Sequence, residues 1–318
     1  SLDMSVIKNL LIAGCSGSGK SVLLHNIITK LSLLGPENIK FILIDPKRVE
    51  LTLYKDFPHL LTPTIVDPKT AVQVMKWAVK EIHRRLGIID NGGYKVTSSY
   101  QGESTIINKP YIVIVIDELS DIMQSYPKEA EPLIEKIAEL GYKAGVHIIL
   151  STSRPNTKVL TNSIRSLIGG RIALQTASVQ DSKVIIDTEE AYNLQGHGDM
   201  FFQSGTFKYP IHGQINALLE GETVKFIKDQ VKKYKSIIEI KADTIDLKDN
   251  SASDAFDTDD MFEEVKRAVI EAGKVSTSYI QRKFGLGYSR SAKLIDMLEV
   301  GGVIGPANGS KPREVICE

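Results

Sequence analysis

Leu10-Leu11-Ile12-Ala13-Gly14-Cys15-Ser16-Gly17-Ser18-Gly19-Lys20-Ser21-Val22-Leu23-Leu24 is the stretch whose reading decides the fold. A short apolar run, strand-like, enters the pattern G-x-x-x-x-G-K-S, and the pattern opens a helix. That order makes a loop whose backbone N–H groups turn inward around phosphate oxygens. Glycines allow the turn, and the helix N-terminus adds partial positive charge. Gly14, Cys15, Ser16, Gly17, Ser18, Gly19, Lys20, Ser21 and Val22 are therefore candidate nucleotide-binding residues. Lys20 is placed to bridge β- and γ-phosphates and the Ser21 hydroxyl to ligate Mg²⁺, so ATP and Mg²⁺ are the implied ligands. The plain alternative is a glycine-rich strand-to-helix turn with no ligand.

Further along, β-prone runs alternate with helical patterns. The runs are Ile7–Ala13, Phe41–Ile44, Tyr111–Ile116, Val146–Leu150, Arg171–Gln175 and Asp199–Gln203. Several are continuously apolar, as strands covered on both faces must be, which predicts a parallel sheet between helical layers. Helices are predicted over about 20–34, 68–86, 127–143, 178–186 and 221–234. The alternation gives an α/β class. Residues 87–109, rich in Gly, Ser and Asn, read as a surface loop, and the acidic 236–258 as a linker. The division expected is a nucleotide-binding domain 1–235, the linker 236–258, and a small domain 259–318.

Two other strand ends carry candidate chemistry. Ile112-Val113-Ile114-Val115-Ile116-Asp117-Glu118 ends a buried strand in carboxylates. Asp117 is placed near Mg²⁺, and Glu118 can act as general base on water. A solvent-facing acidic strand end is the bland alternative. Leu150-Ser151-Thr152-Ser153-Arg154-Pro155 ends the next strand. Thr152 or Ser153 could sense the γ-phosphate, and Arg154 could reach phosphate or a neighbouring subunit. Arg171 opens a further strand and is a candidate arginine acting across a subunit interface. Asp45-Pro46-Lys47-Arg48 stays open between a site-edge loop and surface charge, and core packing is the default for Trp77.

Composition excludes much else. With 318 residues, 42% hydrophobic and 25% charged, the chain is neither disordered nor fibrous. Lys plus Arg is 39 and Asp plus Glu is 39, so binding by bulk positive charge is out. Cys15 and Cys317 offer no disulfide framework, and His25, His147, His197 and His212 lack metal-ligand spacing. No signal peptide and no membrane-length apolar run is read, so a cytoplasmic chain is expected.

Charge is nevertheless uneven. From 274 to 313, Lys274, Arg282, Lys283, Arg290, Lys293, Lys311 and Arg313 face only Asp296 and Glu299, a balance of 7 − 2 = +5. Phe262, Val265, Val269 and Ile270 recur at helical spacing, Ser276 is placed to cap a second helix, and a third runs from Tyr288 to Val300. Two β-prone runs, around Val303-Ile304 and Glu314–Ile316, flank Asn308-Gly309. Three helices and a hairpin read as a winged helix. Tyr288, Ser289, Arg290 and Lys293 would then reach base edges in the major groove of double-stranded DNA, Lys311 and Arg313 sit in or beside the wing, suited to phosphate or minor-groove contact, and Arg282 is a further DNA-binding candidate. The alternative is a protein-interaction module with a solvated charged face.

These strings together resemble the FtsK/SpoIIIE family of DNA translocases. The resemblance rests on Gly14–Ser21, Phe41–Lys47, Pro58–Thr62, Asp117-Glu118-Leu119, Thr152–Pro155, Arg171–Ala173 and Gly196-His197-Gly198-Asp199-Met200. In the tail it rests on Gln281–Phe284, Gly287–Ala292 and Gly309–Val315, similar to the family's γ domain. It implies a RecA-like ATPase motor that assembles as a homo-hexameric ring around double-stranded DNA, acting in chromosome segregation at division or sporulation, with the winged helix reading DNA polarity. It implies Lys20, Ser21, Asp117 and Glu118 as the ATPase core and Arg171 as the arginine acting in trans. A membrane anchor would belong to a segment outside this chain. Departures exist: Ser153 replaces the family's usual glutamine, Tyr192–Gln195 lacks a lysine common before Gly196, and Ser289 stands where Asn or Thr is frequent. Two other readings stay open, a nucleotide-gated DNA-binding protein without hydrolysis and a secretion- or conjugation-type motor.

Overall fold

The computed structural model describes residues 7–90, 110–216, 220–234, 261–300, 303–305 and 313–315. They fall into two compact units. The first is built on a seven-stranded sheet ordered β2-β3-β4-β1-β5-β6-β7. Its strands are β1 (Leu10–Ala13), β2 (Ile39–Ile44), β3 (Tyr111–Ile116), β4 (Val146–Thr152), β5 (Gly170–Leu174), β6 (Asp199–Ser204) and β7 (Ile211–Gln214).

The first five strands pair in parallel, with β1 between β4 and β5. Every residue of β1, β2 and β4 is buried, which explains the apolar runs Leu10–Ala13, Phe41–Ile44 and Ile148–Leu150 within them. The parallel sheet expected is present, and it is extended at one edge by two antiparallel strands. β6 and β7 run antiparallel. β6 is only half-buried and β7 is largely exposed, so neither needs an apolar face on both sides. β7 was not legible as a strand for the same reason.

Helices α1 (Lys20–Ser32), α2 (Pro68–Asp90), α3 (Leu119–Ser125), α4 (Pro127–Leu140), α5 (Asn162–Leu167) and α6 (Val179–Ile186) lie between strands, and α7 (Glu220–Lys233) follows β7. α2 starts where the Asp67 carboxylate accepts a hydrogen bond from Thr70 N at 2.8 Å, followed by Pro68 in the first turn. It buries Ala71, Met75, Ala78 and Ile82, three to four residues apart, with Val74 beside them. Predicted to 86, it runs on through 90; residues 91–109 of the expected loop lie outside the described residues. α4 gives way at Gly141 to a 3-10 turn, short of the predicted 143. The core around Leu10, Ile12, Leu24, Ile28, Phe41, Leu43, Val115 and Ile172 fixes the strand tips. Truncating one such residue to Ala costs roughly 2–5 kcal/mol.

The second unit holds α8 (Phe262–Ala272), β8 (Lys274–Val275), α9 (Thr277–Phe284), α10 (Tyr288–Val300) and β9 (Arg313–Glu314). Ser276 caps α9, its hydroxyl accepting from Tyr279 N at 3.2 Å. Gly273 and Gly285, both at φ 66°, close α8 and α9. Val265, Val269, Ile280, Leu294, Ile295 and Leu298 form the core. Ile270, expected with them, faces outward at 37% exposure, one helical step off the buried stripe. β9 pairs antiparallel with β8 rather than only with the 303–304 run, which joins it by the Ile304–Val315 bridge. The unit is a winged helix. The predicted linker 236–258 lies outside the described residues.

Candidate active site

The site is built on the ends of four parallel strands. β1 ends at Ala13, in register with Thr152 of β4 and Ala173 of β5, while β3 ends one strand beyond β4. The chain turning out of β1 is pinned on both sides: Gly14 N donates to Thr152 O at 3.4 Å and Cys15 N to Gln175 O at 2.7 Å. A Cβ on Gly14 would sit 2.8 Å from Leu174 Cβ, so only glycine fits. Gly19, the residue before α1, has φ 111°, and a Cβ there would come within 2.9 Å of Gly198 N. Gly198 N in turn donates to Ser18 O at 2.9 Å. The Gly196-His197-Gly198 turn thus buttresses the phosphate loop, a role the local motif did not reveal.

The loop suits a polyanion. The first intrahelical bond of α1 runs from Leu23 N to Gly19 O at 3.0 Å, so the N–H groups of Lys20, Ser21 and Val22 precede it and can point to a ligand. The Ser18 hydroxyl is buried with no hydrogen-bond partner. The Lys20 ammonium donates to Gly14 O at 2.9 Å and Cys15 O at 2.8 Å. Burial lowers its hold on a proton, and the nearby charges of Glu118, Cys15 and Asp117 work against that. Ser21 and Asp117 supply a hydroxyl and a carboxylate, hard donors that fit a magnesium ion. Among the described residues no group of three or more His, Cys, Asp or Glu side chains could hold a metal by itself, so phosphates and waters would complete such a shell.

The two carboxylates after β3 are set apart by their surroundings. Asp117 N donates to Ile44 O at 2.9 Å. Burial first, then the charges of Asp45, Glu50 and Glu118, push its carboxyl up to about 6; a bound cation would reverse that. Glu118 precedes α3 in a left-handed conformation, φ 65°. Its Oε1 accepts from Ser120 Oγ at 2.7 Å, Thr152 Oγ1 at 2.8 Å and Ser153 N at 3.1 Å. Its Oε2 accepts from Lys47 Nζ at 2.7 Å and from Ser153 Oγ. Burial alone would raise its pKa, but the bonds from Lys47, Ser153, Ser120 and Thr152 outweigh it and hold the group at about 2.

These contacts settle several open placements. Thr152 and Ser153, candidates for sensing phosphate, both direct hydroxyls to Glu118. Lys47 belongs to the site edge. Asp45 holds its loop, accepting from Leu51 N at 2.9 Å. Arg154 is exposed and makes no ion pair among the described residues. Arg171 is in register with Leu11, short of the strand tip. Its guanidinium donates to Asp187 Oδ2 at 2.8 Å and Ile185 O at 3.2 Å, and Arg165 shares Asp187. It does not join its own chain's phosphate loop. Cys15 is a free thiol, while Cys317 lies outside the described residues.

In the second unit, Arg282 and Arg290 are exposed. Arg282 Nε donates back to Ser278 O at 3.2 Å. Arg313 is tied to Glu299. Tyr288, Ser289 and Lys293 lie on α10, but their side chains, and Lys311 altogether, fall outside the described residues. Among the described residues no helix is long and apolar enough to cross a membrane.

Comparison with known proteins agrees with this geometry. The FtsK/SpoIIIE family model matches residues 1–157 and the FtsK gamma domain residues 256–318. A protein named DNA translocase FtsK from Caldanaerobacter subterraneus subsp. tengcongensis is 38% identical over 99% of this chain and 44% of its own length. One of the same name from Borreliella burgdorferi is 38% identical over 99% of this chain and 41% of its own. The chain thus spans less than half the length of these curated relatives. Among solved structures, the pCW3 conjugation coupling protein TcpA with ATPgS superposes with a TM-score of 0.60 at 24% identity, covering 72% of this chain and 66% of that one. The Type VII secretion ATPase EccC of Thermomonospora curvata gives 0.59 at 23% identity, over 70% and 28%. At such identities the structures show a shared fold.

Proposed function

The chain belongs to the FtsK/SpoIIIE family, and on that footing we propose that it is an ATP-hydrolysing motor that translocates double-stranded DNA. The observation that carries the reading is Glu118, a buried, ionised carboxylate beside the phosphate-loop Lys20. A protein that only sensed nucleotide would have no use for such a group. Ser21 and Asp117 would hold Mg²⁺, which when bound neutralises phosphate charge. Lys20 and the N–H groups at the start of α1 orient the β- and γ-phosphates. Glu118 takes a proton from water as the water oxygen bonds to the terminal phosphorus and the bond to the leaving diphosphate breaks.

The excess of positive charge between residues 274 and 313 of the three-helix unit supports DNA, rather than protein, as what is moved. Arg290, Arg282 and the α10 residues Tyr288, Ser289 and Lys293, with Lys311 and Arg313, are proposed to read it. The division at 236–258, a homo-hexameric ring, an arginine (Arg171 or Arg154) serving a neighbouring subunit, a cytoplasmic site and a role in chromosome segregation belong to the same proposal. ATP turnover measured with and without long duplex DNA, alongside triplex displacement, tests it. Turnover should require Lys20 and rise with DNA. Folded protein that consumes no ATP on long DNA refutes it.

A further inference from the structure

Asp45 carries an acceptor that nothing in its own chain satisfies. β2 and β3 keep parallel register up to Ile44 opposite Ile116, and Asp117 N extends the ladder by donating to Ile44 O at 2.9 Å. The next residues, Asp45 and Asp117, therefore stand side by side on neighbouring strand ends, whose backbones run about 4.8 Å apart. Asp45 is fully buried. Its Oδ2 accepts from Leu51 N at 2.9 Å, while its Oδ1 has no hydrogen-bond partner. A bare carboxylate oxygen is costly to bury, and a second carboxylate lies next to this one. Burial raises the Asp117 carboxyl, and the charge of Asp45 adds the next push. The ammonium of Lys47, two residues on, is engaged by Glu118.

The loop after β2 lies on the metal side of the phosphate loop. His25 follows Ser21 by one turn of α1 and shares its face. Its Nδ1 is 3.0 Å from Tyr54 Oη and its Nε2 is 3.6 Å from Glu50 Oε2, both in the chain after β2. That chain thus packs below Ser21, so Asp45, Asp117 and the Ser21 hydroxyl border one space. A proton shared between the two carboxyls would need them within hydrogen-bond reach, and Oδ1 has no such partner. A hydrated cation supplies both missing things, positive charge between the carboxylates and an O–H donor for Oδ1. Asp45 stands one strand farther from β1 than Asp117 does, which suits contact through water rather than direct ligation.

We propose that Asp45 is a positioning residue for the magnesium ion, its Oδ1 accepting a hydrogen bond from a water bound to the metal. This rests on the nucleotide-site reading above and adds a third residue to the two donors, Ser21 and Asp117, named there. Removing such an outer partner costs about 10- to 100-fold in metal affinity.

The experiment titrates the full chain with Mn²⁺ at saturating ADP, free Mn²⁺ being read by electron paramagnetic resonance, in wild type, D45N, D117N and D45N/D117N. ADP affinity in EDTA and the metal-free urea midpoint accompany it. D45N keeps an oxygen for Leu51 N and should bind Mn²⁺ about 10- to 100-fold more weakly. Its metal-free ADP affinity and urea midpoint should be no lower than wild type, because the change relieves repulsion with Asp117. The double variant should lose less than the product of the two single losses, since both residues grip one ion. Unchanged Mn²⁺ affinity in D45N overturns the proposal, as do losses that multiply. ADP binding weakened equally with and without metal, a lowered urea midpoint or a D45N that does not fold overturns it too, because Asp45 would then be a prop for its loop. Wild type that binds no ADP removes the nucleotide-site reading and this inference together, whereas wild type that binds Mn²⁺ and ADP beside an indifferent D45N removes the inference alone.

Discussion

His59 should make the sheet-bearing unit acid-sensitive. The side chain is wholly buried. It stacks on Phe57 with ring centroids 4.6 Å apart, and Tyr234 meets it edge-on. Its Nε2 lies 2.9 Å from Ser32 O, a carbonyl that can only accept, so Nε2 carries the hydrogen. Nδ1 is then bare, buried and without a partner. Protonation would place a charged N–H there with nothing to receive it. Burial, with a smaller push from Lys40, lowers the pKa from 6.5 to about 4 against the opposing pull of Ser32 O and Glu37.

The folded-state value is depressed for a base. Its stability contribution is therefore complete above 6.5, the unfolded value, and is lost as pH falls toward 4. The whole window, 6.5 − 4 = 2.5, is worth about 3 kcal/mol. Between pH 8 and pH 5 the loss is about 2 kcal/mol. Asp117 works the other way: raised to about 6, it penalises folding above that pH and relieves the penalty as pH drops. Wild-type stability alone would blur the two. Comparing wild type with H59F cancels every group but His59, and phenylalanine keeps the stack on Phe57. Losing the bond to Ser32 O adds only a pH-independent cost of about 1 kcal/mol. Urea unfolding followed by the single tryptophan, Trp77, at pH 5, 6, 7 and 8 reads the difference. Wild type minus H59F should fall by about 2 kcal/mol from pH 8 to pH 5. A difference constant within about 0.5 kcal/mol would refute the tautomer and the buried, unpaired Nδ1.

Other outcomes follow from the same geometry. Glu118→Gln turns one acceptor oxygen into a donor facing Lys47 or Ser120 and should cut ATP turnover about 10²- to 10⁴-fold while nucleotide binding, measured by fluorescent-analogue titration, survives. Gly19→Ala puts a Cβ 2.9 Å from Gly198 N at φ 111°, a strain of about 1–3 kcal/mol, and should lower both thermal stability and nucleotide affinity; a variant with wild-type affinity would mean the buttress is slack. Arg290→Ala should weaken DNA binding by about 1–3 kcal/mol in a sequence-dependent way, read by competition between different duplexes. Arg282→Ala should weaken all duplexes alike and lower the slope of log Kd against log salt by about 1.

Much of this was legible in the chain itself, and the reasons are physical. β1 and β3 are buried on both faces over nearly their whole length, so their apolar character is continuous and visible in a window of six residues. The phosphate loop is visible because one contiguous turn supplies all its groups. The antiparallel edge is not, because β7 is mostly exposed and its residues answer to solvent rather than to a core. α3 and α5 have seven and six residues, too short for a helical period to show. Lys47 was ambiguous for another reason: it meets Glu118 across 71 residues, and nothing local distinguishes it from a surface lysine.

Glu118 shows why the chemistry of such a site hides from local reading. At φ 65° a residue with a Cβ pays about 1–2 kcal/mol, and no propensity favours glutamate there. The conformation persists because the carboxylate it presents is held from three directions: Ser120 in its own helix, Thr152 and Ser153 on the neighbouring strand, and Lys47 from the loop after β2. Each bond to a charged acceptor is worth more than a neutral one, and together they offset the backbone cost. The strain and the hydrogen bonds are thus two sides of one arrangement. If so, removing donors should relax the backbone as well as free the carboxylate. In a T152A/S153A variant the residue at 118 should leave the left-handed region, visible as a changed backbone chemical shift, whereas an unmoved backbone would mean the turn into α3 alone dictates it.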